Sequence, residues 1–151
     1  MLIRFVALLL LALLPALGHA QVSVKDAWVR ATVPHQKATG AYLQLTAAKD
    51  ARLVEVRSPV AGSAELHEMS MANNVMKMRA VAAVELPAGK PVAFEPGGYH
   101  IMLLELKAPI KEGESVPLLL VVEGRDGKRE TVAAKAAVRP LTAHGGSHKG
   151  H

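Results

Sequence analysis

An all-β sandwich or barrel is the fold class this sequence predicts, and three observations predict it. Short β-type runs recur along the chain, turn-forming clusters separate them, and no long amphipathic helical segment interrupts the series. Strands are expected at Val22–Arg30 and at Gly40–Ala47, the second closed by the turn signal at Asp50. Leu53–Ser58 is stopped by Ser58-Pro59, and Ala64–Met71 and Val75–Leu86 flank Asn73-Asn74. Pro91–Phe94 follows Pro87-Ala88-Gly89, and His100–Lys107 follows Pro96-Gly97-Gly98. Val116–Glu123 comes after Glu112-Gly113, and Arg129–Val138 after Arg125-Asp126-Gly127. Runs this short at this spacing are those of a sandwich or barrel, with no internal repeat.

The two ends differ in kind from this body. Arg4 precedes the thirteen-residue apolar run Phe5–Leu17, and Gly18-His19-Ala20 supplies small residues near a cleavage point. Residues 1–20 therefore read as a signal peptide cut after Ala20; the run is too short for a bilayer, which needs roughly 20 apolar residues. An exported protein is expected, located in the periplasm, with no stable membrane insertion once the signal is removed. From Leu141 the chain reads LTAHGGSHKGH, which cannot build a core. The expected organisation is a signal peptide at 1–20, one domain at 21–140 and a flexible histidine-containing tail at 141–151.

Charge and composition exclude several classes. The formal net charge of +5 is mild, one unit of it comes from Arg4, and only 3% of residues are aromatic. Lysines and arginines are interspersed with acids, so nucleic acid is not an expected partner. There is no cysteine, hence no disulfide and no thiol for an oxidising compartment to consume.

The chemistry lies in the methionines. Every methionine after Met1 falls within one stretch, as Met69, Met71, Met76, Met78 and Met102, interleaved with His67 and His100. Methionine used as core filler scatters over many strands. Thioether sulfurs mixed with imidazole nitrogens select copper(I) over hard cations. A tight turn at Asn73-Asn74 sets Ala72 opposite Val75, Met71 opposite Met76, Met69 opposite Met78, Glu68 opposite Arg79 and His67 opposite Ala80. Alternation then collects His67, Met69, Met71, Met76 and Met78 on one face of the hairpin and Glu68, Ser70, Lys77 and Arg79 on the other. In the next ligand-bearing strand His100 and Met102 share a face while Ile101 points to the core. Two donors from each half make four.

The spacing His67, Met78, His100, Met102 resembles the signature of the periplasmic PCu(A)C copper chaperone family. So do the blocks Asp26-Ala27-Trp28-Val29-Arg30-Ala31-Thr32, Lys37-Ala38-Thr39-Gly40-Ala41-Tyr42, Val75-Met76-Lys77-Met78-Arg79 and Pro96-Gly97-Gly98-Tyr99-His100-Ile101-Met102-Leu103. The likeness covers roughly Val22 to Arg139. It implies a cupredoxin-like β-sandwich that holds one copper(I) ion at a surface site through His67, Met78, His100 and Met102. It also implies delivery to the dinuclear copper centre of cytochrome c oxidase, with subunit II or another copper-assembly protein as recipient. Met69, Met71 and Met76 fall outside the four ligand positions and could be alternate ligands, stepping stones for transfer or a polarizable apron. His35, in the turn Val33-Pro34-His35-Gln36, is expected at the surface. His144, His148 and His151 supply three nitrogens suited to copper(II) on the tail.

Three rival readings weigh differently. A blue-copper electron carrier needs a cysteine thiolate, which this chain lacks. An enzyme is not expected, since no general acid or base clusters with the ligands in the sequence and thioether-rich coordination favours copper(I) over cycling. A periplasmic copper buffer or resistance protein shares the site and differs only in its recipient.

Overall fold

The computed structural model describes residues 21–142, so the expected signal peptide and the tail histidines His144, His148 and His151 lie outside the described residues. Among the described residues there are ten strands and no helix: β1 (Val22–Arg30), β2 (Ala38–Ala47), β3 (Ala51–Arg57), β4 (Ala61–Ala72), β5 (Val75–Val81), β6 (Val84–Leu86), β7 (Val92–Phe94), β8 (His100–Leu106), β9 (Ser115–Gly124) and β10 (Arg129–Arg139). They form one hydrogen-bonded path in the order β5-β4-β8-β2-β1-β10-β9-β3-β6, with β7 added against the second half of β2. Every pairing between strands is antiparallel except β1 with β10.

Alternation builds the core. Ala41, Leu43 and Leu45 of β2, Leu66 of β4, Ile101 and Leu103 of β8, and Leu118 and Leu120 of β9 all turn inward into one cluster. Their neighbours in sequence, including His67 and Met102, lie on the outer face of the same strands. One expectation needs correcting: Val75–Leu86 is not a single strand. Its first part pairs with β4 and its last three residues pair with β3, so the chain changes partner at Ala82-Ala83. Val84 and Leu86 are both buried, and burying them requires the chain to leave the exposed β5 edge.

A bulge sets the outer face of β1. The β1–β2 register shifts between Lys25 and Trp28, where Asp26 takes a positive φ of 53°. Val22 faces inward before it and Val29 after it, so the extra residue turns Trp28 outward. There it stacks on Tyr42 at 4.5 Å between ring centroids, with the Arg139 guanidinium 5.0 Å from the Trp28 ring. Tyr42 in turn lies over Gly40, where an added Cβ would come within 2.4 Å of the phenol oxygen.

Ile101 is fully buried directly beneath the His100–Met102 pair. Changing Ile101→Ala is expected to cost about 2–5 kcal/mol of unfolding free energy, as large-to-small changes in packed cores do. Urea unfolding of the metal-free domain measures it, and a cost under about 1 kcal/mol would mean that the sheet is loosely packed under the site.

Candidate metal centre

The β4–β5 hairpin is set by its turn. Asn73 and Asn74 both hold positive φ, 51° and 62°, the backbone of a two-residue type I′ connection. Ala72 therefore faces Val75, and the pairing runs down through Met71 with Met76, Met69 with Met78, Glu68 with Arg79 and His67 with Ala80. This is the register the sequence predicts. On the face away from the sulfurs, Arg79 Nε donates to Glu68 at 2.5 Å.

The second half enters through another defined turn. Pro96 and Gly97 occupy the centre of Glu95–Gly98, with Gly97 at φ 89° and Gly98 N–H donating to the Glu95 carbonyl at 3.0 Å, as a type II turn requires. β8 then pairs with β4 so that Leu66 meets Ile101 on the core side and His67 meets His100 on the outer side. The two imidazoles lie 5.4 Å apart. Met78 reaches over β4 until its Sδ is 3.0 Å from His100 Nε2. Met102, two residues along on the same face, lies opposite Glu65 on one side and Gly40 on the other.

The hydrogen bonds fix which nitrogens are available. His100 Nδ1 lies 3.2 Å from the Gly98 carbonyl, which can only accept, so Nδ1 carries the proton and donates. In the neutral ring Nε2 is then a bare lone pair, facing a thioether that has no proton to offer. Two electron-pair donors thus face each other with nothing between them to bind, an arrangement that suits a Lewis acid. His67 is held in a similar way. Its Nε2 meets the Glu65 carboxylate at 2.7 Å, and its Nδ1 is buried without a hydrogen-bond partner. Metal-ligating histidines characteristically give one N–H to a carboxylate or backbone carbonyl and keep the other nitrogen for the ion. Both histidines here do the first, which leaves Nδ1 of His67 and Nε2 of His100 for the second.

Burial pushes the His100 imidazole below its ordinary range; the Gly98 carbonyl pulls it back and His67 adds to the lowering. The ring is 6% exposed, so its neutral, ligand-ready form is favoured near neutrality. Among the described residues no group of three or more His, Cys, Asp or Glu side chains converges as a metal site. The further donors that this face offers beside the two imidazoles are thioether sulfurs.

Met69, Met71 and Met76 share this face; Met69 is level with Met78, directly opposite it, and the Met71–Met76 pair lies nearer the hairpin tip. His35 sits in an exposed turn, as expected. Two residues were missed from the sequence, Glu65 and Gly98, each two positions before a histidine. For Glu65 the signal was present, since a residue at i−2 in a strand shares the histidine's face. Its carboxylate places an acidic group in contact with the outer nitrogen of His67.

Residues 22–136 match the model of the family described as "Putative lipoprotein LpqE-like". The chain is 34% identical over 113 residues to "Putative lipoprotein Lxx21020" of Leifsonia xyli subsp. xyli, covering 74% of this chain and 67% of that one. The chain belongs to this LpqE-like, PCuAC family. Among solved structures the fold matches the apo PCuAC domain from PmoF1, at TM-score 0.64 and 24% identity over 80% of this chain and 95% of that one. Apo-DR1885 from Deinococcus radiodurans is 31% identical at TM-score 0.56, over 83% of this chain and 88% of that one. The copper(I) form of DR1885 matches at TM-score 0.55 and 31% identity, over 87% and 86% of the two chains. The fold is thus the cupredoxin-like sandwich of PCuAC domains. No helix among the described residues is long and apolar enough to cross a membrane.

A buried imidazole held neutral makes stability depend on pH. The unfolded chain takes up a proton near the ordinary histidine value of about 6.5 while folded His100 does so only at lower pH, so the unfolded state binds more protons in between. Stability of the metal-free domain is expected to be full above about 7 and to fall progressively as pH drops below 6.5, before the carboxylates titrate. Urea midpoints from pH 7.5 to 5.5 measure it, with His100→Leu as the comparison. An equal slope in that variant would show that His100 is not the group responsible.

Proposed function

We propose that this domain is an exported copper carrier, which binds one copper(I) ion through His67, Met78, His100 and Met102 and passes it to a recipient protein. The observation that carries this reading is the approach of His100 Nε2 to Met78 Sδ, a bare nitrogen lone pair against a thioether. The unpartnered Nδ1 of His67 supports it, as does kinship with a family in which DR1885 has a copper(I) form. All four donors are neutral, so the site binds without deprotonating a thiol, and Glu65 beside it offsets part of the ion's charge.

Release follows from the same donors. Thiolates outcompete thioethers and imidazoles for copper(I) because they add charge to softness. A cysteine-bearing centre such as the dinuclear copper site of cytochrome c oxidase, in its subunit II, therefore receives the ion by ligand exchange. The site's place on an outer sheet face, with Met78 half exposed, leaves one side open to an incoming ligand. The periplasm is the compartment in which this carrier works, and the tail histidines His144, His148 and His151 add a copper(II) capture site that truncation after Pro140 removes.

X-ray absorption on the copper(I)-loaded domain is expected to show mixed sulfur and nitrogen neighbours, and a shell of nitrogen and oxygen alone would sink the ligand assignment. Met78→Leu and Met102→Leu should each lower copper(I) affinity by more than about tenfold, or about 1.4 kcal/mol. Deletion in the native host should impair oxidase assembly; a loss of copper tolerance with normal assembly would instead identify a buffer.

The orienting carboxylate makes a separate prediction. Glu65→Leu should weaken copper(I) binding by about 10–100-fold, the range typical of groups that hold a ligating histidine. Glu65→Gln, which keeps an acceptor oxygen, should lose less. Equal losses in the two variants would point to the charge of Glu65 rather than to its hydrogen bond.

A further inference from the structure

The hairpin carries more sulfur than one ion can use. Met78 is committed to His100, yet Met71 and Met76 face each other two pairs nearer the turn, and Met69 lies between them and the histidines. None of the three belongs to the core cluster. β5 is exposed at Met76 and Met78, and Met71 and Met76 are 64% and 48% exposed. An exposed strand face with no packing role gains nothing from methionine as a hydrophobe, since β-branched residues suit a strand better and charged ones suit water. What methionine uniquely supplies at such a place is an accessible thioether.

We propose that Met69, Met71 and Met76 form a second soft-metal site, a three-thioether port for copper(I) at the open end of the face that leads to His67 and His100. Directly opposed residues on one sheet face bring their Cβ atoms to about 4.5–5.5 Å, within easy span of two three-bond side chains meeting at one ion. The type I′ turn at Asn73-Asn74 locks that opposition, so the site is preorganised by backbone rather than by packing. Lys77 and the Glu68–Arg79 pair point to the other face, so no side-chain cation of the hairpin competes for the sulfurs. Exposure falls in order along the face, from Met71 at the tip through the partly buried Met69 and His67 to the buried His100. A port of neutral thioethers in water binds more weakly than the site with two added imidazoles, which gives the ion a downhill direction inward. The inference rests on the soft-metal reading of the inner site, and the test separates the two.

Silver(I), an air-stable stand-in for copper(I), is titrated into the full-length mature protein carrying carbon-13 methionine methyl groups, each assigned by single Met→Leu changes. The first equivalent is expected to move the Met78 and Met102 methyls. Further silver should move Met69, Met71 and Met76 with at least about tenfold weaker apparent affinity. In the Met71→Leu/Met76→Leu double variant the first step should persist and the second vanish. Met71 and Met76 methyls that stay still in excess silver would overturn the port while leaving the inner site standing. If those methyls move while Met78 and Met102 do not, the port stands and the inner ligand assignment fails. A second step that survives in the double variant also overturns the proposal, because silver would then be held elsewhere.

Discussion

Everything at the candidate centre depends on one register, that of β4 against β8. Leu66 and Ile101 are opposed and buried on the core side, and the adjacent pair in the ladder is His67 with His100 on the outer side. A one-residue slip of β4 would turn His67 into the core and Leu66 into water, so burial of the apolar pair holds the imidazoles opposite one another. The hydrophobic effect thus does the positioning, at no cost to the donors' own chemistry. Hydrogen bonds then choose the atoms: the Gly98 carbonyl and the Glu65 carboxylate each take an N–H and leave the remaining nitrogen with its lone pair.

Much of this was legible before any coordinates. The hairpin pairing follows from two asparagines that tolerate positive φ, and a turn of two residues leaves only one register. Strand alternation then assigns every side chain of the hairpin to a face, which is why Met69, Met71, Met76 and Met78 could be grouped from spacing alone. The fold class followed from turn spacing, and the cupredoxin-like form from resemblance. What sequence did not disclose is where a run of β-type residues changes partner. Val75 to Leu86 reads as continuous because local propensity is continuous; the break at Ala82-Ala83 is imposed by burial of Val84 and Leu86 against β3, a long-range demand with no local mark. The β1 bulge at Asp26 is equally silent, since an aspartate at positive φ leaves no hydrophobic signature. Glu65 was overlooked for a different reason: charged residues in an exposed strand are common enough that one more beside a histidine carries little information without the distance.

The aromatic pair outside the core has a structural part in this picture. Trp28 and Tyr42 are almost fully buried although they lie on the outer face, closed over by the stems and guanidiniums of Arg30 and Arg139. Their stack packs the outer side of β1 and β2, and Gly40, the register partner of Met102, leaves the room that the Tyr42 ring occupies. One flank of the metal face is therefore backed by two layers of packing, core beneath and aromatics beside.

The opposite flank has neither. β5 is an edge strand whose other neighbour is solvent, and its exposed side chains contribute little to the core. The donors are accordingly split by mechanical character: His67, His100 and Met102 belong to a stiff, partly buried sheet, whereas Met78 belongs to a thin hairpin margin. Local opening free energies are lowest where few apolar contacts hold an element, so Met78 is the donor that detaches most easily. In the proposed carrier, this would open the coordination shell from one side without disturbing the histidines, so that an incoming ligand would take the place of a thioether before it had to displace an imidazole. Under the proposed ligation, the asymmetry between flanks would set the order of ligand exchange, and that asymmetry comes from the uneven packing of two sides of one sheet.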